Sequence, residues 1–429
     1  MSAWKVAGIV LLTAIAVTYI PNYLNRLPVR DVQGWTAPGW KKVAKVYSDM
    51  LKSGQEKGGG FAVYHKGELV VDIWGGYRDT QGEGVPWKED TLGLFFSTTK
   101  GVAALMVAML VDRGHLDYDK TVATYWPEFA QNGKEKVTVA QLLSHQAGLS
   151  AVDFEVTEKL HNNTEEFGKL LAGQKPFWKP GTAHGYHALT FGMYVDQLMR
   201  RADPKKRGVQ QFFKEELAKP LGLDFFIGLP PEEMYRMSRL YMMGLAEGFV
   251  HNILTANFES FNLYKHMLFD PLAQKAMSSA AFLNKQSLNQ IEILRIPLAS
   301  MMGIGTPKSI AKLYGVLANG GATKDFRMLS KGMIKKLQEP AQQTEDPKDR
   351  TLGFESEIKL GFFVANNPKG QPLIGHPGAG GQMGYADVNY NLGFAYLTNH
   401  GGTRLVDPRY IALAEATYEC ADAAIKTKK

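Results

Sequence analysis

The stretch Leu92-Gly93-Leu94-Phe95-Phe96-Ser97-Thr98-Thr99-Lys100-Gly101-Val102-Ala103-Ala104-Leu105-Met106-Val107-Ala108-Met109-Leu110 sets the framework for the whole chain. Residues 101–113 are apolar nearly all round, the pattern of a helix buried on every side. Ser97 opens that helix directly after an apolar run, and Lys100 follows one turn later. A three-residue spacing places both side chains on one helix face. The helix N-terminus favours negative charge as it develops there. A lysine shielded from water releases its proton more readily and can then activate the serine.

Ser-x-x-Lys recurs at Ser2/Lys5, Ser309/Lys312 and Ser356/Lys359. Ser2 precedes an apolar N-terminal run, Ser309 sits in a helix with Lys312 near a solvated side, and Ser356 lies in a polar run leading to a strand. For such a pair the ordinary reading is a cap and a surface ammonium. Only at Ser97 do the surroundings reverse it.

Outward from this helix the pattern changes. Helical spacing covers 40–51, and glycines 58–60 open a strand at 61–65, a turn at Lys66-Gly67 and a second strand at 68–74, a hairpin signal. Helical segments run through roughly 120–337, including 309–318, which Asn319-Gly320-Gly321 stops. Strand character returns at 359–364, 385–389 and 394–398. A closing helix is expected over 408–424, with Asp407 as N-cap and Pro408 at its first position. Strands at both ends with helices between imply one sheet of distant segments and a helical insertion.

Two further segments stand out. Pro180-Gly181-Thr182-Ala183-His184-Gly185-Tyr186-His187-Ala188 reads as a loop before a helix at 189–200. Taken alone, Tyr186 fits a core phenol, and His184 and His187 fit exposed or capping positions, since no third ligand clusters with them. Gly375-His376-Pro377-Gly378-Ala379-Gly380-Gly381 carries more small residues than a hairpin turn requires. It suits a strand edge that approaches a ligand and offers backbone N–H groups.

Composition narrows the class. The chain has 429 residues, 45% apolar and 21% charged, and a net charge of +7 without a basic tract beyond the 426–429 end. Length alone suggests two or three domain-sized units, and the dispersed charge argues against nucleic acid as a partner. Cys420 is the only cysteine, so no intrachain disulfide forms. GxSxG, the P-loop pattern and HExxH are all missing, which removes the main support for those enzyme classes.

Residues 6–20 carry no charge, with Lys5 before them and Arg26 and Arg30 after. We expect a single-pass N-terminal membrane anchor, extended by Pro21, Tyr23 and Leu24 to about the required length. A cleaved signal peptide ending near Ala14-Ile15-Ala16 and a mitochondrial presequence are the alternatives. The secretory route is favoured, and Asn162-Asn163-Thr164 would then be open to glycosylation. Residues 22–39 read as a linker.

Read in order, Ser97-Thr98-Thr99-Lys100-Gly101, residues 138–148, 180–188, 303–321 and 376–381 resemble the serine β-lactamase-related family, especially its class C and esterase-like members. The resemblance covers roughly 40–424. It implies an α/β (α+β) sandwich with a mainly antiparallel sheet flanked by helices and an all-helical region inserted at roughly 101–345. It also implies a serine hydrolase working through an acyl-enzyme on ester or peptide-like acyl substrates, with neither cofactor nor metal. Ser97 is the implied nucleophile, Lys100 and Tyr186 share the proton transfer, and the N–H groups of Ser97 and Ala379 form the oxyanion hole. His376 and Gly378 fall at the substrate-binding strand, where penicillin-recognising members carry Lys-Thr-Gly. Ala188 replaces an asparagine of true β-lactamases, which shifts the expectation from β-lactams to esters. Phe95, Phe96 and Tyr385 are expected to line the acyl path. The competing expectations are a true β-lactamase and an inactive membrane-anchored scaffold.

Overall fold

A computed structural model describes residues 27–426 except Thr255, Gln343 and Leu405. Eight strands form the main sheet: β1 (Gln33–Thr36), β2 (Gly58–His65), β3 (Glu68–Asp79), β4 (Val85–Pro86), β5 (Ala365–Asn366), β6 (Pro372–Pro377), β7 (Met383–Asp387) and β8 (Leu392–Thr398). Their order is β1-β3-β2-β8-β7-β6-β5, with β4 paired to β3, and every ladder is antiparallel. The sheet is therefore closed by segments from the two ends of the chain, as the strand pattern implies.

Alternation decides which face each side chain takes. Phe61, Val63, Phe394 and Tyr396 point to one face, where they pack with Val43 and Tyr47 from the Lys41–Ser53 helix and Leu413 from the Pro408–Lys426 helix. Ala62, Ala395 and Leu397 point to the other, against the Thr98–Asp112 and Pro307–Ala318 helices. The second face is lined by small residues because helix and sheet nearly touch. A Cβ on Gly393 would lie 2.0 Å from the Gly315 nitrogen. Asp407 does cap the closing helix, its carboxylate accepting from the Arg409 N–H at 2.9 Å.

Four expectations need correction. The strand expected at 359–364 is a separate two-stranded hairpin, Ile358–Lys359 with Phe362–Phe363, because Leu360 and Gly361 both adopt positive φ and turn the chain. The linker expected to run to Gly39 contains β1, the edge strand of the sheet. The insertion is not all-helical: Gly303–Gly305 pairs with Phe225–Ile227 on one side and Gly93–Leu94 on the other in a small sheet. The Thr98–Asp112 and Pro307–Ala318 helices belong to the sheet layer, so the inserted part lies between them. Among the described residues no helix is long and apolar enough to cross a membrane, and the run 6–20 lies outside them.

Candidate active site

Ser97 sits where the small sheet hands the chain to the buried helix. The Phe95 N–H donates to the Gly303 carbonyl at 2.8 Å, and the Thr99 hydroxyl, donating to Phe96, accepts from the Gly303 N–H at 2.9 Å. Between these ties Phe96 is forced to φ +47°, a conformation costing a bulky residue about 1–3 kcal/mol. That bend brings Ser97 to the first turn of the helix with its side chain partly exposed, while residues 98–110 are buried.

Lys100 is fully buried, and no carboxylate faces it. Its amine lies 2.7 Å from the Ala188 carbonyl, 2.9 Å from the Ser300 carbonyl and 3.2 Å from Ser97 Oγ. Loss of hydration without a compensating anion holds its pKa well below the usual lysine range. A neutral amine has two N–H donors and one lone pair. Two carbonyls take the donors, which leaves the lone pair for the Ser97 hydroxyl.

Tyr186 completes the group. It hydrogen-bonds Ser97, and its ring centroid lies 4.7 Å from the Lys100 amine. Poor hydration of the phenol pushes its pKa up, so the hydroxyl keeps its proton near neutral pH. His145 stacks on its ring at 5.2 Å. The His145 Nδ1 accepts from the His187 N–H at 2.7 Å, and the His187 Nε2 accepts from the Leu149 N–H at 3.1 Å. Both rings are buried, and desolvation is the largest cause lowering their pKa, that of His187 to about 4. The histidines expected at exposed or capping positions, His184 and His187, are instead buried, because each finds hydrogen-bond partners inside.

Asp349 holds this tyrosine from behind. Its buried carboxylate accepts from the Tyr186 N–H, 3.0 Å to each oxygen, and from the Thr351 and Leu352 N–H groups at 2.8 Å. Ser356 donates to it at 3.0 Å. Asp349→Asn turns one of these acceptors into a donor facing donors. We expect kcat to fall about tenfold with KM nearly unchanged, since a misplaced phenol loses transition-state geometry rather than binding. Steady-state kinetics on a short ester check this; a change in KM alone would contradict the positioning role.

The end of β6 closes the other side. A Cβ on Gly378 would lie 2.3 Å from the Phe95 carbonyl, so only glycine lets this strand reach the turn that carries Ser97. Beyond it, Gly380 at φ +83° turns the chain, and its carbonyl accepts from the Gly402 N–H at 3.0 Å and Arg409 at 3.2 Å. Arg409 is itself paired with the Asp407 carboxylate at 2.6 Å. Among the described residues neither the Ser97 nor the Ala379 N–H has an acceptor, which suits an oxyanion hole.

The structure thus brings Ser97, Lys100, Tyr186 and the Gly378–Ala379 segment together. His376 lies behind Tyr186, 1% exposed, its Nδ1–H donating to the Pro377 carbonyl at 2.6 Å. Burial, with the nearby Lys100 second, lowers its pKa to about 3, so it is no cation near neutral pH. Tyr385 does not line an acyl path. It faces the opposite side of the sheet, among Phe394 and Tyr410, because Gly384 takes the inner position. Phe95 is likewise a core residue, packed on Phe225. Asp349, Arg409 and the Ser300 carbonyl are parts of the site that sequence reasoning missed. A lone acid in a polar run, a distant arginine and a backbone oxygen leave no motif.

Comparison with known proteins identifies the family and the fold. The Beta-lactamase family profile matches residues 43–417. Esterase/beta-lactamase LipL of Mycobacterium tuberculosis is 32% identical over 389 residues, 88% of this chain and 84% of that one. A crystal structure of a family VIII carboxylesterase superposes with a TM-score of 0.76 at 36% identity, covering 91% of this chain and 99% of the other. A penicillin-binding protein homologue from Caulobacter crescentus does so with 0.76 at 33% identity, covering 91% and 100%. With the profile spanning most of the sequence, the chain belongs to the Beta-lactamase family.

Proposed function

We propose that this chain is a serine hydrolase that cleaves carboxylic esters through an acyl-enzyme on Ser97. The observation that carries the reading is Lys100, buried without an anion and bonded to two carbonyls and the Ser97 hydroxyl. Its lowered pKa and the raised one of Tyr186 favour Lys100 as the base and Tyr186 as the proton donor. In the forward step Lys100 takes the hydroxyl proton as Ser97 Oγ bonds to the carbonyl carbon. The oxygen of that carbonyl becomes an oxyanion facing the Ser97 and Ala379 N–H groups. As it collapses, the leaving alkoxide takes the Tyr186 proton, and the Lys100 ammonium reprotonates the phenol. Water then repeats the sequence on the acyl-enzyme and releases the acid. The catalytic groups are intact and adjacent, which weighs against the scaffold reading. A fluorophosphonate probe tests the proposal: labelling mapped to the peptide carrying Ser97 is the expected result, and a probe-silent folded protein overturns it.

Esters are favoured over β-lactams because the site lacks two partners that a β-lactam needs. Ala188 has no polar side chain for the amide, and the buried neutral His376 supplies no fixed cation for the carboxylate. Each unpaired polar group costs about 1–3 kcal/mol, so kcat/KM for a p-nitrophenyl ester is expected to exceed that for a chromogenic cephalosporin by about a hundredfold or more. Equal or better turnover of the cephalosporin would establish the lactamase reading instead.

A further inference from the structure

Arg409 stands where a helix tolerates a cation least. It is the second residue of the Pro408–Lys426 helix, and the N-terminus of a helix carries the positive end of the backbone dipole. Its side chain is also buried, and burying a charge is costly even when it is well paired. A well-packed apolar residue would serve stability better, and such local conflicts gather at functional sites.

All three nitrogens of the guanidinium are engaged. Nε and Nη2 hold the Asp407 carboxylate in a fork, at 3.0 and 2.6 Å. Nη2 also donates to the Gly380 carbonyl at 3.2 Å. Nη1 donates to the His400 carbonyl at 3.0 Å and the Thr398 hydroxyl at 3.3 Å, and lies 3.9 Å from Glu56. Glu56 is buried too and joins the start of β2 to the end of β8. Its carboxylate accepts from the Gly58 N–H at 2.9 Å, the Thr398 hydroxyl at 3.0 Å and the Tyr396 hydroxyl. Asp407 presses on the same turn as Arg409: a Cβ on Gly381 would collide with its carboxylate, and one on Gly402 would lie 2.8 Å from it.

The turn that this junction reaches carries the Ala379 N–H. In Gly378-Ala379-Gly380-Gly381-Gln382 three of the five residues are glycine, with Gly380 at φ +83° and Gly381 at +108°. Glycine permits that path without holding it, since it takes positive and negative φ about equally readily. Within itself the turn is closed by the Gly378 N–H, which donates to the Gln382 carbonyl at 2.6 Å, and by the Gly381 N–H, which donates to the Gly378 carbonyl at 3.3 Å. From outside, Arg409 and the Gly402 N–H grip the Gly380 carbonyl, one residue beyond the N–H that an oxyanion would meet. A donor of this kind stabilises a transition state only if it is already aimed, so the fixing of the turn is part of its strength.

We propose that Arg409, held by Asp407 and Glu56, is a positioning residue that fixes the 378–382 turn so that the Ala379 N–H faces the oxyanion. The proposal rests on the hydrolase reading of Ser97. Arg409→Lys keeps the charge that the two carboxylates require but loses the planar fork, so it cannot serve Asp407 and both carbonyls at once. For a short p-nitrophenyl ester, kcat is expected to fall about tenfold or more, with KM within about twofold. An aryl trifluoromethyl ketone supplies the specific readout, because Ser97 adds to its carbonyl carbon and leaves an oxyanion in the hole. Its inhibition constant should rise by the same factor as kcat/KM falls. Should Arg409→Lys not fold, Asp407→Asn takes its place: asparagine still caps the helix but loosens the fork, and kcat is expected to fall about fivefold. Tyr418→Phe is the control on the same helix. Its hydroxyl bonds Asp387 at 3.0 Å, at the far end of β7 from the turn, so kcat and the inhibition constant should stay within about twofold. A folded variant whose kcat stays within about twofold of the wild type, or whose kcat falls without weaker ketone inhibition, overturns the positioning role. Absence of Ser97-dependent ester turnover by the unmodified chain would instead overturn the hydrolase reading.

Discussion

Ser97→Ala is expected to abolish fluorophosphonate labelling and to lower kcat/KM for a p-nitrophenyl ester by about four orders of magnitude or more. The two other Ser-x-x-Lys pairs among the described residues cannot take over. Ser309 accepts from the Asp224 N–H at 2.8 Å, while Lys312 turns away to the Leu221 carbonyl. Ser356 donates to Asp349, while Lys359 bonds the Lys336 carbonyl at 2.7 Å. In neither pair does the amine meet the hydroxyl. The fold should survive, since the Ser97 hydroxyl bonds only to catalytic partners and its loss costs about 1 kcal/mol. Labelling that persists in a folded Ser97→Ala protein would move the nucleophile elsewhere.

Lys100→Met is expected to cost about three orders of magnitude in kcat, and Lys100→Arg to rescue none of it, because a guanidinium never offers a lone pair. The pH profile carries the sign. Wild-type activity should rise with pH as the lysine loses its proton, well below the usual lysine range, and then level off. Stability follows the same group. Unfolded lysine holds a proton that the buried one releases, so stability rises with pH between the folded and unfolded pKa values and flattens above the latter. Methionine removes that slope. It also leaves the Ala188 and Ser300 carbonyls without a donor, about 1 kcal/mol each, so the net change at neutral pH should be small. Thermal unfolding across pH checks both statements; an unaltered slope in Lys100→Met would show that the buried amine is charged.

Much of this was legible in the sequence, for identifiable reasons. An all-apolar helix can only be buried, so its first turn had to place Ser97 at an interior junction. That one sheet joins segments from both ends of the chain followed from where strand-like runs recur. Tyr385 was misassigned although alternation with Gly384 held the answer: the glycine faces the close-packed helices, so the aromatic must face away. The turn at Leu360-Gly361 was signalled by the glycine and passed over within an apolar run. Asp349 was out of reach, because its role depends on a bond to a backbone N–H 163 positions away. Phe96 gave no sign either, since a left-handed phenylalanine is imposed by its neighbours and not by its own preference.

The pairing of β2 with β8 has a consequence for how the molecule comes into being. Leu392 sits opposite His65 at the centre of the sheet, more than three hundred residues later in the chain. At a synthesis rate of about 5–20 residues per second, the first hairpin waits about 20–60 s for its central partner. Throughout that wait β2 presents an open edge and the apolar face of Phe61 and Val63, the arrangement most prone to wrong pairing. Folding of the sheet is therefore tied to completion of the chain: a ribosome stalled anywhere before Leu392 holds a product in which β2 has no partner on that edge.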